Sequence, residues 1–133
     1  PYAISKTGLA RYVENTAIEL LDSNIQLFLI SPGLMPSDLL KESLMNAEYL
    51  SISEVESINS TMEGALNFSG QKILDLVDFL LSESGKYCSG KMISAEWDNW
   101  AEWIDHSTEL VSSDLYTLRR ITGRDRGQSW GDL

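Results

Sequence analysis

Cysteine, histidine, proline and long apolar runs are all scarce in this chain, and each shortage excludes something. Its 133 residues include one cysteine, one histidine and three prolines. The lone Cys88 cannot form an internal disulfide, which fits a reducing compartment and makes a cytoplasmic location the expectation. A single histidine, His106, leaves little material for a Cys–His nucleophile pair. The longest uninterrupted apolar stretches fall far short of the ~20 residues needed to span a bilayer. Basic side chains are also in deficit, 10 against 20 acidic, for a net charge of −10. Such a charge repels nucleic acid and anionic membranes, so neither is an expected partner. The remaining consequence of the acidity is solubility.

What is present is enough for one modest domain: 43% of the residues are apolar, typical of a globular chain and too many for a disordered one. From about Ala3 to Leu21, the residues Leu9, Val13, Ala17, Ile18 and Leu21 recur at helical spacing, and Asp22-Ser23-Asn24 ends the helix. Ile25 to Ile30 is apolar at nearly every position, as in a strand covered on both faces, and Pro32-Gly33 stops it. Pro36-Ser37-Asp38 starts a helix running to about Asn46, with Ser37 or Asp38 as its cap. Ser53-Glu54-Val55-Glu56 has the spacing of a capping box and opens a helix to about Leu66. Gln71 to Ser82 is strongly periodic, with Gly85 just past its end. Ser89-Gly90 reads as a turn, Lys91 to Ala95 as a second short strand, and Ser112 to Ile121 as a last helix before a Gly/Arg-rich tail. No internal repeat is visible.

A helix followed by a doubly buried strand is half of a β-α-β unit, so the class is α/β. Two parallel strands do not make a stable covered sheet. The chain begins with Pro1, not methionine, and reads as the later half of something larger. The rest of the sheet is expected from a missing N-terminal half or a partner chain.

Tyr2 and Lys6 form a Tyr-x-x-x-Lys at the start of the first helix. Residues four apart lie one turn apart on one face, which places a phenol beside an ammonium. A neighbouring cation favours a phenolate, and a phenol tuned this way can exchange a proton with a carbonyl or alcohol oxygen near neutral pH.

Tyr2-Ala3-Ile4-Ser5-Lys6, the helix after it, Ile25 to Gly33, the hydroxyl residue Ser37 and the strand-forming Ser89-Gly90-Lys91-Met92-Ile93-Ser94 stand in an order that resembles the short-chain dehydrogenase/reductases. The resemblance runs from Tyr2 to about Ala95. It implies the C-terminal half of a Rossmann-like, doubly wound parallel sheet, comprising residues 1–96. Residues 97–133 form a helical C-terminal extension with an Arg-rich tail. The implied activity is hydride transfer between NAD or NADP and a secondary alcohol or ketone, sugar-like ones included. Tyr2 is the implied general acid/base, and Lys6 the implied partner of Tyr2 and of the nicotinamide ribose. Pro32, Gly33 and Met35 are implied to line the nicotinamide side, and Ser37 to hydrogen-bond the cofactor. The stretch from Ser37 to about Tyr49 matches a substrate-covering lid. Assembly as a homodimer or homotetramer is implied through the first helix and through Gln71–Ser82 with the last strand.

Departures from the family pattern are equally plain. The glycine-rich turn is absent, as are the catalytic serine and asparagine that precede the tyrosine. Glu96-Trp97-Asp98-Asn99-Trp100 replaces the usual Asp-Gly-Gly. That segment and a later Leu115-Tyr116-Thr117-Leu118-Arg119-Arg120 look like marks of a divergent subgroup. A non-catalytic binding or assembly subunit on the same fold is the alternative, and an unrelated acidic helical interaction domain a third. Trp97, Trp100 and Trp103, three apart, are read as packing or subunit contact rather than pocket lining. Glu96, Asp98, Glu102 and Asp105, with His106, read as a solvated face rather than a metal site, so no metal is expected. Arg119, Arg120, Arg124 and Arg126 read as salt-bridge partners for the acidic body or a neighbouring subunit rather than a phosphate site.

Overall fold

The computed structural model describes residues 1–33, 35, 37–65 and 70–130. Helices dominate: α1 (Tyr2–Glu19), α2 (Asp38–Met45), α3 (Ile52–Ala65), α4 (Gln71–Leu81) and α5 (Ser107–Ser112) surround two short strands, β1 (Leu29–Ser31) and β2 (Met92–Ser94). The strands pair in parallel, Leu29 opposite Met92 and Ser31 opposite Ser94, so a long crossover through α2, α3 and α4 separates them. The class is therefore mixed, a helical body on a two-stranded parallel sheet.

Pairing continues past the ends of the strands. Gly90 N–H donates to the Leu27 carbonyl at 2.8 Å, and Ala95 N–H to that of Ser31 at 2.9 Å. Gly90 makes the turn into β2 with φ +80°, and a Cβ there would lie 3.1 Å from that of Ala17. Glycine thus permits both the left-handed turn and the close approach of α1.

The core comprises Leu76 and Leu80 of α4, Cys88, Ile93 and Ala95 around β2, Trp103 and Leu110. The last two come from beyond residue 96, so the C-terminal stretch packs into the same core as α4 and β2. Trp103 and Trp100 lie in a 3-10 helix (Trp100–His106), where residues three apart eclipse. Trp103 is buried and Trp100 tilts against Phe79 at 5.5 Å, while Trp97 is exposed. Two of the three tryptophans therefore pack as the spacing suggests.

Several expectations need correction. The strand predicted over Ile25–Ile30 forms only at Leu29–Ser31, and these residues are half-buried rather than covered on both faces. The reason is local: Leu27 N–H donates to Ser89 Oγ, and β1 has a single strand neighbour among the described residues. The predicted apolar face of α1 holds at Val13 and Ala17 but not at its other positions. Ala10, Val13, Glu14 and Ala17 are the buried positions, whereas Leu9, Ile18 and Leu21 are exposed.

The helix expected over Ser112–Ile121 is replaced by α5, which ends at Ser112. Lys91 ends it from below, its Nζ donating to the carbonyls of Ser113 at 3.0 Å and Leu115 at 2.9 Å. The capping box of α3 is Ser51–Glu54, two residues earlier than predicted: Glu54 Oε2 accepts from Ser51 N–H at 2.7 Å, and Ser51 Oγ accepts from Glu54 N–H. The predicted start at Pro36 and the predicted end of α3 at Leu66 lie outside the described residues.

Candidate functional site

The first turn of α1 carries Tyr2 and Lys6, and helical spacing brings them together as expected. Lys6 Nζ stands 5.3 Å from the centroid of the Tyr2 ring. Both side chains are exposed, Tyr2 to 62%. Ser5 Oγ donates to the Tyr2 carbonyl at 2.7 Å, tightening this turn.

These two residues line a cavity of about 450 Å³ between α1 and the sheet. Ser31 and Pro32, at the end of β1, form part of the facing wall, and Leu29, Met92 and Leu118 contribute apolar surface. Such a cavity has an ammonium and hydroxyls on one side and hydrocarbon on the other. That composition suits a ligand with an apolar body and one or two oxygens to be oriented.

The other predicted residues are not gathered into it. Gly33, Met35 and Ser37 are not among the residues that line this cavity. Gly33 has φ +88°, and a Cβ there would meet Glu96 Cβ at 3.1 Å, so the loop after β1 closes against the end of β2. Glu96 is held in turn by Lys72 of α4 at 2.7 Å. Met35 is exposed to 40%. Ser37 is half-buried at the entrance to α2, with its carbonyl accepting Lys41 N–H.

Sequence reasoning missed Leu118. It belongs to the Leu-Tyr-Thr-Leu-Arg-Arg segment singled out above, but nothing in its spacing indicated that it returns to the Tyr2 cavity. Its return is fixed by α1. Glu14 Oε1 accepts the Leu118 N–H, and Arg11 donates to the Leu118 carbonyl. Glu14 is buried, and its other oxygen lies 2.7 Å from Arg11 Nη1, too poorly aligned for a hydrogen bond. Next to Leu118, Arg119 grips both oxygens of Asp125 at 2.7 and 2.8 Å. Arg119, followed by the Thr122 N–H and hydroxyl, holds the Asp125 carboxyl far below the ordinary carboxylate range. Arg119 is thus a salt-bridge partner, but of Asp114 and Asp125 within its own C-terminal stretch.

Burial, opposed by nearby Lys91, pushes the Cys88 thiol up to about 11. The side chain is fully buried in the core, away from the cavity. Among the described residues, no helix is long and apolar enough to cross a membrane.

Comparison with known proteins gives the same family as the motifs. The chain is 29% identical over 93 residues to Dehydrogenase/reductase SDR family member 4 of Bos taurus, covering 70% of this chain and 32% of that protein. Against Putative dehydrogenase/reductase SDR family member 4-like 1 of Homo sapiens the identity is 30%, covering 70% and 31%. The Oryctolagus cuniculus member 4 gives 29%, covering 70% and 34%. The chain therefore spans about a third of the length of the curated relatives it matches. No family model matches it, and no solved structure does. The resemblance to a partial short-chain dehydrogenase/reductase region is borne out.

Proposed function

We propose that this chain is the substrate-facing part of an NAD(P)-dependent oxidoreductase of the short-chain type, acting between a secondary alcohol and its ketone. The observation that carries the proposal is the shared cavity: Tyr2, Lys6 and Pro32 line one space in a chain similar to this family. The fit to a nicotinamide nucleotide is chemical. An ammonium and a phenol suit ribose hydroxyls and a reacting oxygen, and the apolar wall suits a ring. When bound, the cofactor supplies or accepts the hydride.

The chain's own residues handle the proton and the positioning. Tyr2 donates its hydroxyl proton to a ketone oxygen, or takes one from an alcohol. Lys6 keeps a positive charge beside the ring while that proton moves, and its remaining hydrogens orient ribose hydroxyls. Pro32 and Gly33 shape the loop facing them, and the Gly33 conformation lets that loop turn tightly over Glu96. Met35 and Ser37 belong to the cofactor side of the proposal, beyond the cavity wall. In the same proposal α2 and the turn after it cover the substrate, and water exclusion follows from their closure.

The glycine-rich turn that would hold the pyrophosphate is not among these residues. In this reading a further segment or a partner chain completes both the sheet and the nucleotide site. Assembly as a homodimer or homotetramer uses α1, whose Ile4 and Tyr12 are exposed, and α4. A second reading, a non-catalytic assembly subunit, is favoured by that missing turn alone.

The two readings separate by titrating NADH and NADPH into the full natural chain and following nicotinamide fluorescence. Saturable binding is expected with one of them, weakened about ten-fold or more in Lys6→Met through loss of charge-assisted hydrogen bonds. Absence of binding to either nucleotide decides for the assembly subunit.

A further inference from the structure

The Leu115–Arg120 segment has no counterpart in the resemblance to the family, yet it reaches the Tyr2 cavity. Leu118 is half-buried and lines that cavity beside residues of α1, β1 and β2. The neighbouring chain is fastened at several points. Met92 N–H donates to the Tyr116 carbonyl at 2.8 Å, so this segment lies along the outer edge of β2. Tyr116 sits against Trp103, ring centroids 4.1 Å apart, in a left-handed conformation with φ 59°. Lys91 holds the carbonyls of Ser113 and Leu115.

The fastening at Leu118 itself is different in kind, because both halves of its backbone are held by charged groups of α1. Glu14 accepts its N–H and Arg11 donates to its carbonyl, across more than a hundred residues of sequence. Arg11 and Glu14 stand on the helix that carries Tyr2 and Lys6, so the element that would position the proton donor also positions Leu118. A buried carboxylate spent on a backbone N–H of a distant loop costs desolvation that packing alone would not require. A positioning role accounts for it.

We propose that Leu118 is a specificity-determining residue of the Tyr2 cavity and that the Arg11–Glu14 pair is its positioning device. This rests on the oxidoreductase reading above. Leu118 limits the size of the group that stands next to the reacting carbon, and the charged clamp fixes where that limit falls. The substrates selected are secondary alcohols or ketones whose smaller arm fits against a branched apolar side chain. Relaxing the clamp widens the cavity without touching Tyr2 or Lys6.

The test uses the full natural chain and a pair of probe alcohols of unequal bulk, isopropanol and cyclohexanol. Leu118→Ala removes three carbons from an apolar wall, where even one methylene is worth roughly 10-fold or more in discrimination. The kcat/KM ratio should move toward cyclohexanol by about ten-fold or more, chiefly through KM. Leu118→Val, a milder change that keeps the fold should the alanine variant not form, should shift it in the same direction by less. Glu14→Ala should reproduce the Leu118→Ala shift, and Glu14→Gln, which retains an oxygen acceptor for the Leu118 N–H, should restore most of the original ratio.

Amide hydrogen exchange at Leu118 reads the clamp independently of turnover. It should quicken about ten-fold or more in Glu14→Ala and much less in Glu14→Gln. An unchanged alcohol ratio in both Leu118 variants overturns the specificity role, and unchanged exchange in Glu14→Ala overturns the clamp. Should Tyr2→Phe retain turnover while the Leu118 variants still shift the ratio, the assignment of Tyr2 fails and the inference about Leu118 stands.

Discussion

Replacing Lys91 by methionine removes a buried cation and keeps most of its aliphatic stem. The ammonium is held between β2 and the end of α5, with donor–acceptor distances of 3.0 Å to Ser113 and 2.9 Å to Leu115. Hydrogen bonds from charged groups contribute about 1.5–3 kcal/mol each. A cation at a helix C-terminus adds roughly 0.3–1 kcal/mol. The two bonds share one ammonium, so their contributions do not add in full. Burial also works against the charge. It lowers the Lys91 pKa from the ordinary lysine value, against the opposing pull of Asp114, Cys88 and Glu14. The net loss in Lys91→Met should therefore be about 2–3 kcal/mol near pH 7, from two carbonyls left unpaired and a loosened segment.

The assay is urea unfolding followed by tryptophan fluorescence, because Trp103 rests on Tyr116 within the loosened segment. Exchange at the Met92 amide, which donates to the Tyr116 carbonyl, should quicken in parallel. The pH dependence has a definite sign. A lysine with a lowered folded pKa binds its proton less well in the folded chain, so its contribution to stability grows as pH rises from the lowered value toward the ordinary one near ~10.4. Lys91→Met should lack that rise. A loss below about 0.5 kcal/mol, or a more stable variant, would refute the idea that Lys91 fastens the C-terminal segment to β2.

Four further outcomes are expected. Cys88, raised to about 11 and fully buried, should react with a thiol reagent at pH 8 orders of magnitude more slowly in the folded chain than in urea. Its raised value stabilises the fold below the ordinary cysteine pKa and loses that contribution as pH rises toward 11, a trend best measured in the Lys91→Met background, where the opposing lysine is gone. Gly90→Ala combines a positive φ with a 3.1 Å approach to Ala17 and should cost about 1–3 kcal/mol in unfolding free energy. Ser51→Ala removes the cap of α3 and should lower its helicity by far-UV circular dichroism, at a cost of about 0.5–2 kcal/mol; unchanged helicity would rule out Ser51 as the cap.

The parts of the fold that were legible in the sequence are those governed by local pattern. Gln71–Ser82 was predicted from its apolar period and forms as Gln71–Leu81. The Tyr2–Lys6 neighbourhood follows from helical spacing alone, and the β2 turn from Ser89-Gly90. What was illegible depended on distant partners. The apolar face of α1 departs in part from its predicted positions because Glu14 is drawn inward to hold Leu118, which no period reveals. Residues after Ser112 have enough helical propensity to read as a helix, yet Lys91 terminates α5 there and β2 recruits Tyr116 instead. Leu118 was the costliest omission, since a residue that lines the candidate site looked like an ordinary leucine in a basic segment.

The most direct test of the proposed chemistry is turnover by Tyr2→Phe in the full natural chain, measured as nicotinamide absorbance with a secondary alcohol or its ketone. Loss of a positioned proton donor should lower kcat by roughly 10²–10⁴-fold while nucleotide affinity stays close to that of the natural chain. Turnover undiminished by the missing hydroxyl would contradict it, and with it the reading of this cavity as a site of hydride transfer.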